Sequence, residues 1–272
     1  MTPPFNDASA SRPHSRPQPK SGTLQRISTL VIVLATAFLF PTGGRAACFG
    51  FDLDTLYLED FSQPLGPLWS PAATCGTYSV SGGKLELVKN AGCVGNSSVT
   101  FPAGHAICGD FVVEVDFDIS NWPGSSALGG RFNPILIRDT SGQLLAGIER
   151  YRENSNQCIP YTDSYKAYTT VPGCQGDANY EQTSSTTGTF RLERIGTIVR
   201  AHYFSGSGWV QIMERSIPAV DVRIQLNTGT NGALTSGHTS TFDNFTLYAT
   251  GVTAVSESTH LSTWGRVKSA YR

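Results

Sequence analysis

Charge is scarce in this chain. Asp, Glu, Lys and Arg make up 15% of its 272 residues, against about 25% in an average soluble domain. Long salt-bridged helices and coiled coils are therefore not expected. The formal net charge of −1 offers no basic surface, so no nucleic-acid partner is expected. No apolar run reaches the ~20 residues of a membrane-spanning helix. Chemical signatures are missing as well: the sequence has no G-x-S-x-G nucleophile elbow, no H-E-x-x-H and no C-x-x-C. Their absence removes the usual marks of a serine hydrolase, a zinc protease and a zinc–thiolate site. No window has the 3.6-residue apolar period of an amphipathic helix.

Residues 1–46 read as a leader. The first 26 are polar and carry Arg12, Arg16, Lys20 and Arg26 against Asp7. Ile27–Phe40 is a short apolar run, too short to span a bilayer and suited to the centre of a secretory signal. Gly44 and Ala46 are the small residues expected before a cut at Ala47. The other reading of this run is an N-terminal anchor. Ala46-Ala47-Cys48 resembles a bacterial lipoprotein box, but Arg45 stands where that box has an apolar residue. Loss of the leader removes five bases and one acid, leaving a mildly acidic, secreted or cell-surface chain without a membrane span.

All six cysteines follow the leader: Cys48, Cys75, Cys93, Cys108, Cys158 and Cys174. An even number in a secreted chain reads as disulfides. Spacing alone leaves the pairing open. Two short closures, Cys75–Cys93 and Cys158–Cys174, are favoured, which leaves Cys48–Cys108.

The region 47–250 is rich in short runs of period two, bounded by Gly, Asn, Ser or Pro. Strands are expected at Leu56–Phe61, Thr77–Ser81, Lys84–Lys89, Ser97–Phe101, Phe111–Ile119, Phe132–Arg138 and Leu144–Tyr151. Five more are expected at Phe190–Arg194, Ile198–Phe204, Trp209–Arg215, Val222–Leu226 and Thr241–Ala249. So many short strands predict an all-β antiparallel sandwich. Ser81-Gly82-Gly83-Lys84 and Ile195-Gly196-Thr197 read as tight hairpins, with glycine supplying the positive φ. Gln157–Ser185 is polar and carries Tyr161, Tyr165, Tyr168 and Tyr180. It reads as an ordered loop stapled by Cys158–Cys174, and a loop of that length is usually functional. Residues 251–272 read as a linker and a short basic tail.

Three stretches carry a resemblance. Glu59-Asp60-Phe61-Ser62 leads to Trp69 and then to Tyr78-Ser79-Val80-Ser81-Gly82-Gly83-Lys84-Leu85. Phe190-Arg191-Leu192-Glu193-Arg194 leads through Tyr203 to Trp209. Phe242-Asp243-Asn244-Phe245-Thr246-Leu247 closes the region. In this order they resemble the concanavalin A-like lectin/glucanase superfamily, in its laminin-G-like jelly-roll branch. The resemblance implies two curved antiparallel sheets with the first and last strands adjacent. It also implies one structural calcium ion held by Asp60 and Asp243. The competing reading of those two aspartates is turn hydrogen bonding.

Phe111–Ile119 alternates. Val113, Val115, Phe117 and Ile119 point one way, and Glu114, Asp116 and Asp118 the other. Glycoside hydrolases of family sixteen, in the same superfamily, carry E-x-D-x-E there, so Glu114, Asp116 and Asp118 are the candidate catalytic acids. Asp118 departs from that pattern and is one methylene short. Positions i and i+4 of a strand lie about 13 Å apart, whereas retaining chemistry needs carboxyls ~5–5.5 Å apart. The bland reading is a solvated face. His105, His202, His238 and His260 read as surface or turn histidines.

The favoured function is a secreted, non-catalytic binding module for a glycan or cell-surface polymer. Tyr161, Tyr165, Tyr168 and Tyr180 are its candidate contacts, because aromatic rings stack on sugar faces. The alternatives are a glycoside hydrolase or lyase using Glu114 and Asp116, and a structural envelope protein.

Overall fold

Alternation along β-type sequence leaves one face of each strand apolar, and two such sheets bury those faces against each other. The computed structural model describes residues 50–123, 130–153, 162–169, 178–232 and 236–254. The leader, Cys48, Cys158, Tyr161, Cys174, His260 and the C-terminal tail lie outside the described residues, all of which belong to the unit Gly43–Arg272.

The described residues hold fifteen strands and no helix. They are β1 (Gly50–Glu59), β2 (Ser70–Ala73), β3 (Gly76–Ser81), β4 (Lys84–Lys89), β5 (Asn96–Phe101), β6 (His105–Asp118), β7 (Gly130–Asp139) and β8 (Leu144–Glu153). Then come β9 (Asp163–Thr169), β10 (Ala178–Gln182), β11 (Thr187–Ile195), β12 (Ile198–Phe204), β13 (Trp209–Ser216), β14 (Val222–Thr230) and β15 (His238–Ala254). Every pairing is antiparallel. Seven strands run in the order β10-β9-β8-β7-β14-β5-β2. Eight form the second layer, β13-β12-β11-β6-β15, with β1 and the β4-β3 pair sharing the far side of β15. A single strand-ladder pair, Val222 with Ile107, joins the two layers. The architecture is the two-sheet jelly-roll sandwich, with first and last strands adjacent as Leu58 opposite Thr246.

The core lies between the layers. β6 gives Val113, Val115 and Phe117, β15 gives Phe242, Phe245 and Leu247, and β14 gives Val222, Ile224 and Leu226, all buried. The opening motif is structural. Trp69 packs against Phe101 and Phe245 with ring centroids 5.0 Å away in each case, and its Nε1 donates to the Tyr57 hydroxyl at 3.2 Å. The hairpins follow their glycines: Gly82 and Gly83 have φ of 60° and 75° between β3 and β4, and Gly196 has φ 60° between β11 and β12. Cys75 and Cys93 form a disulfide, as the favoured pairing expected, and Cys108 is also disulfide-bonded.

Two expectations are corrected. Gln157–Ser185 is not a loop throughout, because β9 and β10 lie within it and pair in register from Ala178 opposite Tyr168 to Gln182 opposite Ser164. Alternation is invisible in β9 because Ser164 to Thr169 are buried on both faces, the charged Lys166 included. β2, Ser-Pro-Ala-Ala, is short and wholly exposed, and has no apolar pattern to read. The second correction is His238. It lies in β15 and is 4% exposed, a buried side chain rather than a surface or turn one.

Candidate functional site

Two strand ends and one connection meet at one edge of the sandwich. β9 and β10 form the edge of the seven-stranded layer, and the β12–β13 hairpin closes the edge of the other. The layers touch here: Asn179 Nδ2 donates to the Ile212 carbonyl at 2.6 Å. Tyr165 of β9 points into the core and stacks on Tyr203 of β12, with centroids 4.2 Å apart and ring planes at 20°. Phe190 lies edge-on to Tyr165 at 6.0 Å and stacks on Phe117 at 4.3 Å. A row of rings thus runs from the core to the surface.

Above it is a cleft of about 410 Å³, within the ~300–1,000 Å³ typical of ligand pockets. Tyr165 and Tyr203 contribute the aromatic lining, with Phe204 beside them. Gln182, Thr183, Ser185, Thr187 and Ser205 supply amide and hydroxyl groups. Gly188 and Gly206 complete it, and no lining residue is charged. Gly188 is needed for clearance: a Cβ there would lie 3.1 Å from the Phe117 ring and 3.3 Å from the Tyr165 hydroxyl. Burial first, and then the Glu181 carboxylate and Tyr165, raise the Tyr203 phenol above its ordinary range. Tyr203 therefore stays a protonated donor at neutral pH. A second depression, lined by Thr162, Asp163, Glu181, Gln182, Thr183 and Ser184, shares Gln182 and Thr183 with the first. Together they make a groove along the strand edge.

The tyrosines of the sequence reading separate here. Tyr165 lines the cleft but is 3% exposed. Tyr168 faces the other side of β9 and is also 3% exposed, so it has no ring face free for a ligand. Its hydroxyl donates to Glu149 Oε2 at 3.0 Å. Tyr180 stands opposite Lys166, its ring 6.0 Å from the Lys166 ammonium. Sequence reading missed this cluster: Lys166 Nζ lies 3.3 Å from Glu149 Oε1, with the Tyr151 and Tyr168 rings at 4.9 and 5.0 Å. It also missed Tyr203 and Phe204, which belong to a motif that reads as framework.

The acidic row points outward on the eight-stranded layer, and each carboxylate is engaged by a neighbour. Glu114 pairs with Arg191, whose guanidinium lies 4.0 Å over the Trp209 ring. Asp116 accepts from Thr189 Oγ1 at 2.5 Å and from Asn244 Nδ2 at 2.8 Å. Asp118 accepts from the Ser120 amide at 2.8 Å. None of the three lines the cleft.

Asp60 follows β1 and Asp243 lies within β15, and each carboxylate is engaged by a nearby backbone amide. Asp60 Oδ1 accepts the Ser62 amide at 2.9 Å, and Asp243 Oδ1 the Asn244 amide at 2.7 Å. Hydrogen bonding from the Ser62 side chain, and then from its amide, holds the Asp60 carboxyl below its usual range. Among the described residues no group of three His, Cys, Asp or Glu side chains could hold a metal ion. Asp60 and Asp243 by themselves supply only part of the six to eight oxygens that a calcium ion takes. No helix among the described residues is long and apolar enough to cross a membrane.

No family model matches the chain, and no curated protein matches it. Solved structures do. The CBM2 module of the evolved Dit of Lactobacillus casei BL23 phage J-1 matches at TM-score 0.51 and 11% identity, over 71% of this chain and 95% of that one. The exoplasmic/lumenal domain of VIP36, in its Ca2+/Man2-bound form, matches at 0.50 and 9%, over 76% and 90%. An immunostimulatory antigen and pseudo beta-1,3-glucanase of Mycobacterium tuberculosis matches at 0.50 and 11%, over 71% and 98%. The chain has the concanavalin A-like lectin/glucanase fold.

Proposed function

We propose that this chain is a secreted, non-catalytic carbohydrate-binding module whose site is the edge cleft. One observation carries the reading: an uncharged cleft of about 410 Å³ joins aromatic rings to amide and hydroxyl groups. A sugar ring has an apolar face of C–H groups and a rim of hydroxyls. Tyr203 and Phe204 suit the face, and Gln182, Thr183, Ser185, Thr187 and Ser205 suit the rim. Its lining residues include no cationic group for a phosphate. The VIP36 domain, which shares the fold, was solved in a Ca2+/Man2-bound form.

Pull-down on a panel of insoluble polysaccharides, followed by titration with oligosaccharides of the polymer that retains the protein, tests this. Phe204 is 40% exposed, so Phe204→Ala should alter stability by under about half a kcal/mol. It should weaken sugar binding about three- to tenfold through the lost ring contact. Retention at wild-type strength by both Phe204→Ala and Tyr203→Ala would place the binding surface elsewhere. Failure to bind any polysaccharide or oligosaccharide would remove the reading.

A further inference from the structure

The second depression differs from the first in charge. Asp163 and Glu181 both line it. Asp163 is already neutralised: Arg150 Nη2 reaches its Oδ1 at 3.0 Å and Arg152 Nε at 2.7 Å. Glu181 has no hydrogen bond or ion pair among the described residues, and it is exposed. In β10 it stands directly opposite Tyr165 of β9. Directly opposed residues of an antiparallel pair project on the same face. Glu181 therefore lies on the Tyr165–Tyr203 side, where its charge reaches the Tyr203 phenol. An unpaired carboxylate beside the half-buried Tyr203 ring attracts a cation by charge and by the ring quadrupole.

We propose that the groove selects a glycan carrying a free amine, with Glu181 taking the ammonium next to a sugar ring held in the neutral cleft. The inference rests on the carbohydrate-binding reading above and narrows it to amino sugars whose amine is not acylated. It predicts the reverse for uronic acids, which would bring a second negative charge to Glu181.

The test uses three probes of one backbone geometry: β-1,4-linked glucosamine oligomers, their fully N-acetylated counterparts and the corresponding glucose oligomers. Calorimetric titration of the full chain at low salt should show the free-amine oligomers binding about fivefold tighter than the acetylated ones. The preference should shrink as salt rises past 0.1 M, since the contact is exposed. Glu181→Gln should erase the preference, bringing the free-amine oligomers to the affinity of their acetylated counterparts. Equal affinities for free-amine and acetylated forms, or a preference that survives Glu181→Gln, would overturn the selection while leaving the carbohydrate reading intact. Absence of binding to all three probes and to every polysaccharide of the panel would overturn both.

Discussion

Glu149→Ala is expected to destabilise the fold by about 3–5 kcal/mol, the cost of leaving one member of a buried ion pair alone. Glu149 is 2% exposed and Lys166 is 4% exposed. Their charges lie 3.3 Å apart, and the Tyr168 hydroxyl donates to the second Glu149 oxygen at 3.0 Å. Burial is the largest influence on Glu149 and raises its pKa in spite of Lys166. The Tyr168 phenol is pushed far up by burial and by Glu149, so it remains a donor. Removing the carboxylate strands an ammonium among three tyrosine rings, which offset only part of the lost charge interaction. Lys166→Met should cost a comparable amount. The double variant Glu149→Leu/Lys166→Met should cost much less than the sum of the singles, since two apolar groups of similar volume need no partner. Urea unfolding of the wild type, the Glu149→Leu and Lys166→Met singles and this double variant gives the coupling directly. Additive losses would mean that the pair does not act as a unit.

The second large effect is a loss of stability on mild acidification, centred on His238. Its Nε2 lies 3.1 Å from the Thr228 hydroxyl, and its Nδ1 has no partner among the described residues. Burial first, and then the nearby Arg131 and Lys89 charges, hold its pKa down to about 3. The unfolded chain protonates this histidine near pH ~6.5. Between those values the unfolded state binds a proton that the folded state refuses. Stability is therefore complete above pH ~6.5 and falls as pH drops, by up to about 1.4 kcal/mol per unit. By pH 5 the contribution is about 2 kcal/mol. The comparison is with His238→Gln, which cannot titrate. The gap between the two proteins should stay constant above pH ~7.5 and close by about 2 kcal/mol at pH 5. Parallel stability curves from pH 8 to pH 5 would count against a neutral buried histidine.

The most legible strands have one dry face and one wet face, although β7 and β8 were also found while buried on both faces. β6 is the clearest: Val113, Val115 and Phe117 are buried while Glu114, Asp116 and Asp118 are half-buried. β4 and β12 were legible to the residue, because Gly82-Gly83 and Gly196 mark their ends. β9 escaped because Lys166 and Tyr168 are buried on the face that alternation would leave polar. His238 and Ser240 misled in the same way. Both are polar residues pointing inward, held by Thr228, whose hydroxyl meets the Ser240 hydroxyl at 2.7 Å. The cleft was legible only in part. Tyr165 stood out by composition, but its partners Tyr203 and Phe204 come from a distant hairpin and read as framework. Three separated stretches build the cleft, and nothing local to any of them says that they meet.

The row of rings from Phe117 through Phe190 and Tyr165 to Tyr203 has a consequence for how specificity can change. The floor of the cleft is continuous with the hydrophobic interior, so it has the rigidity of close-packed matter. A ligand therefore meets a surface already in place and loses little affinity to ordering it. By the same continuity the floor resists substitution, because a change at Tyr165 disturbs Phe117, Phe190 and Tyr203 together. New ligand preferences must then arise at the rim, from Glu181–Thr187 and Phe204–Gly206, where side chains are exposed or half-buried. Relatives that retain the ring row and differ at these positions should fold alike and bind different sugars.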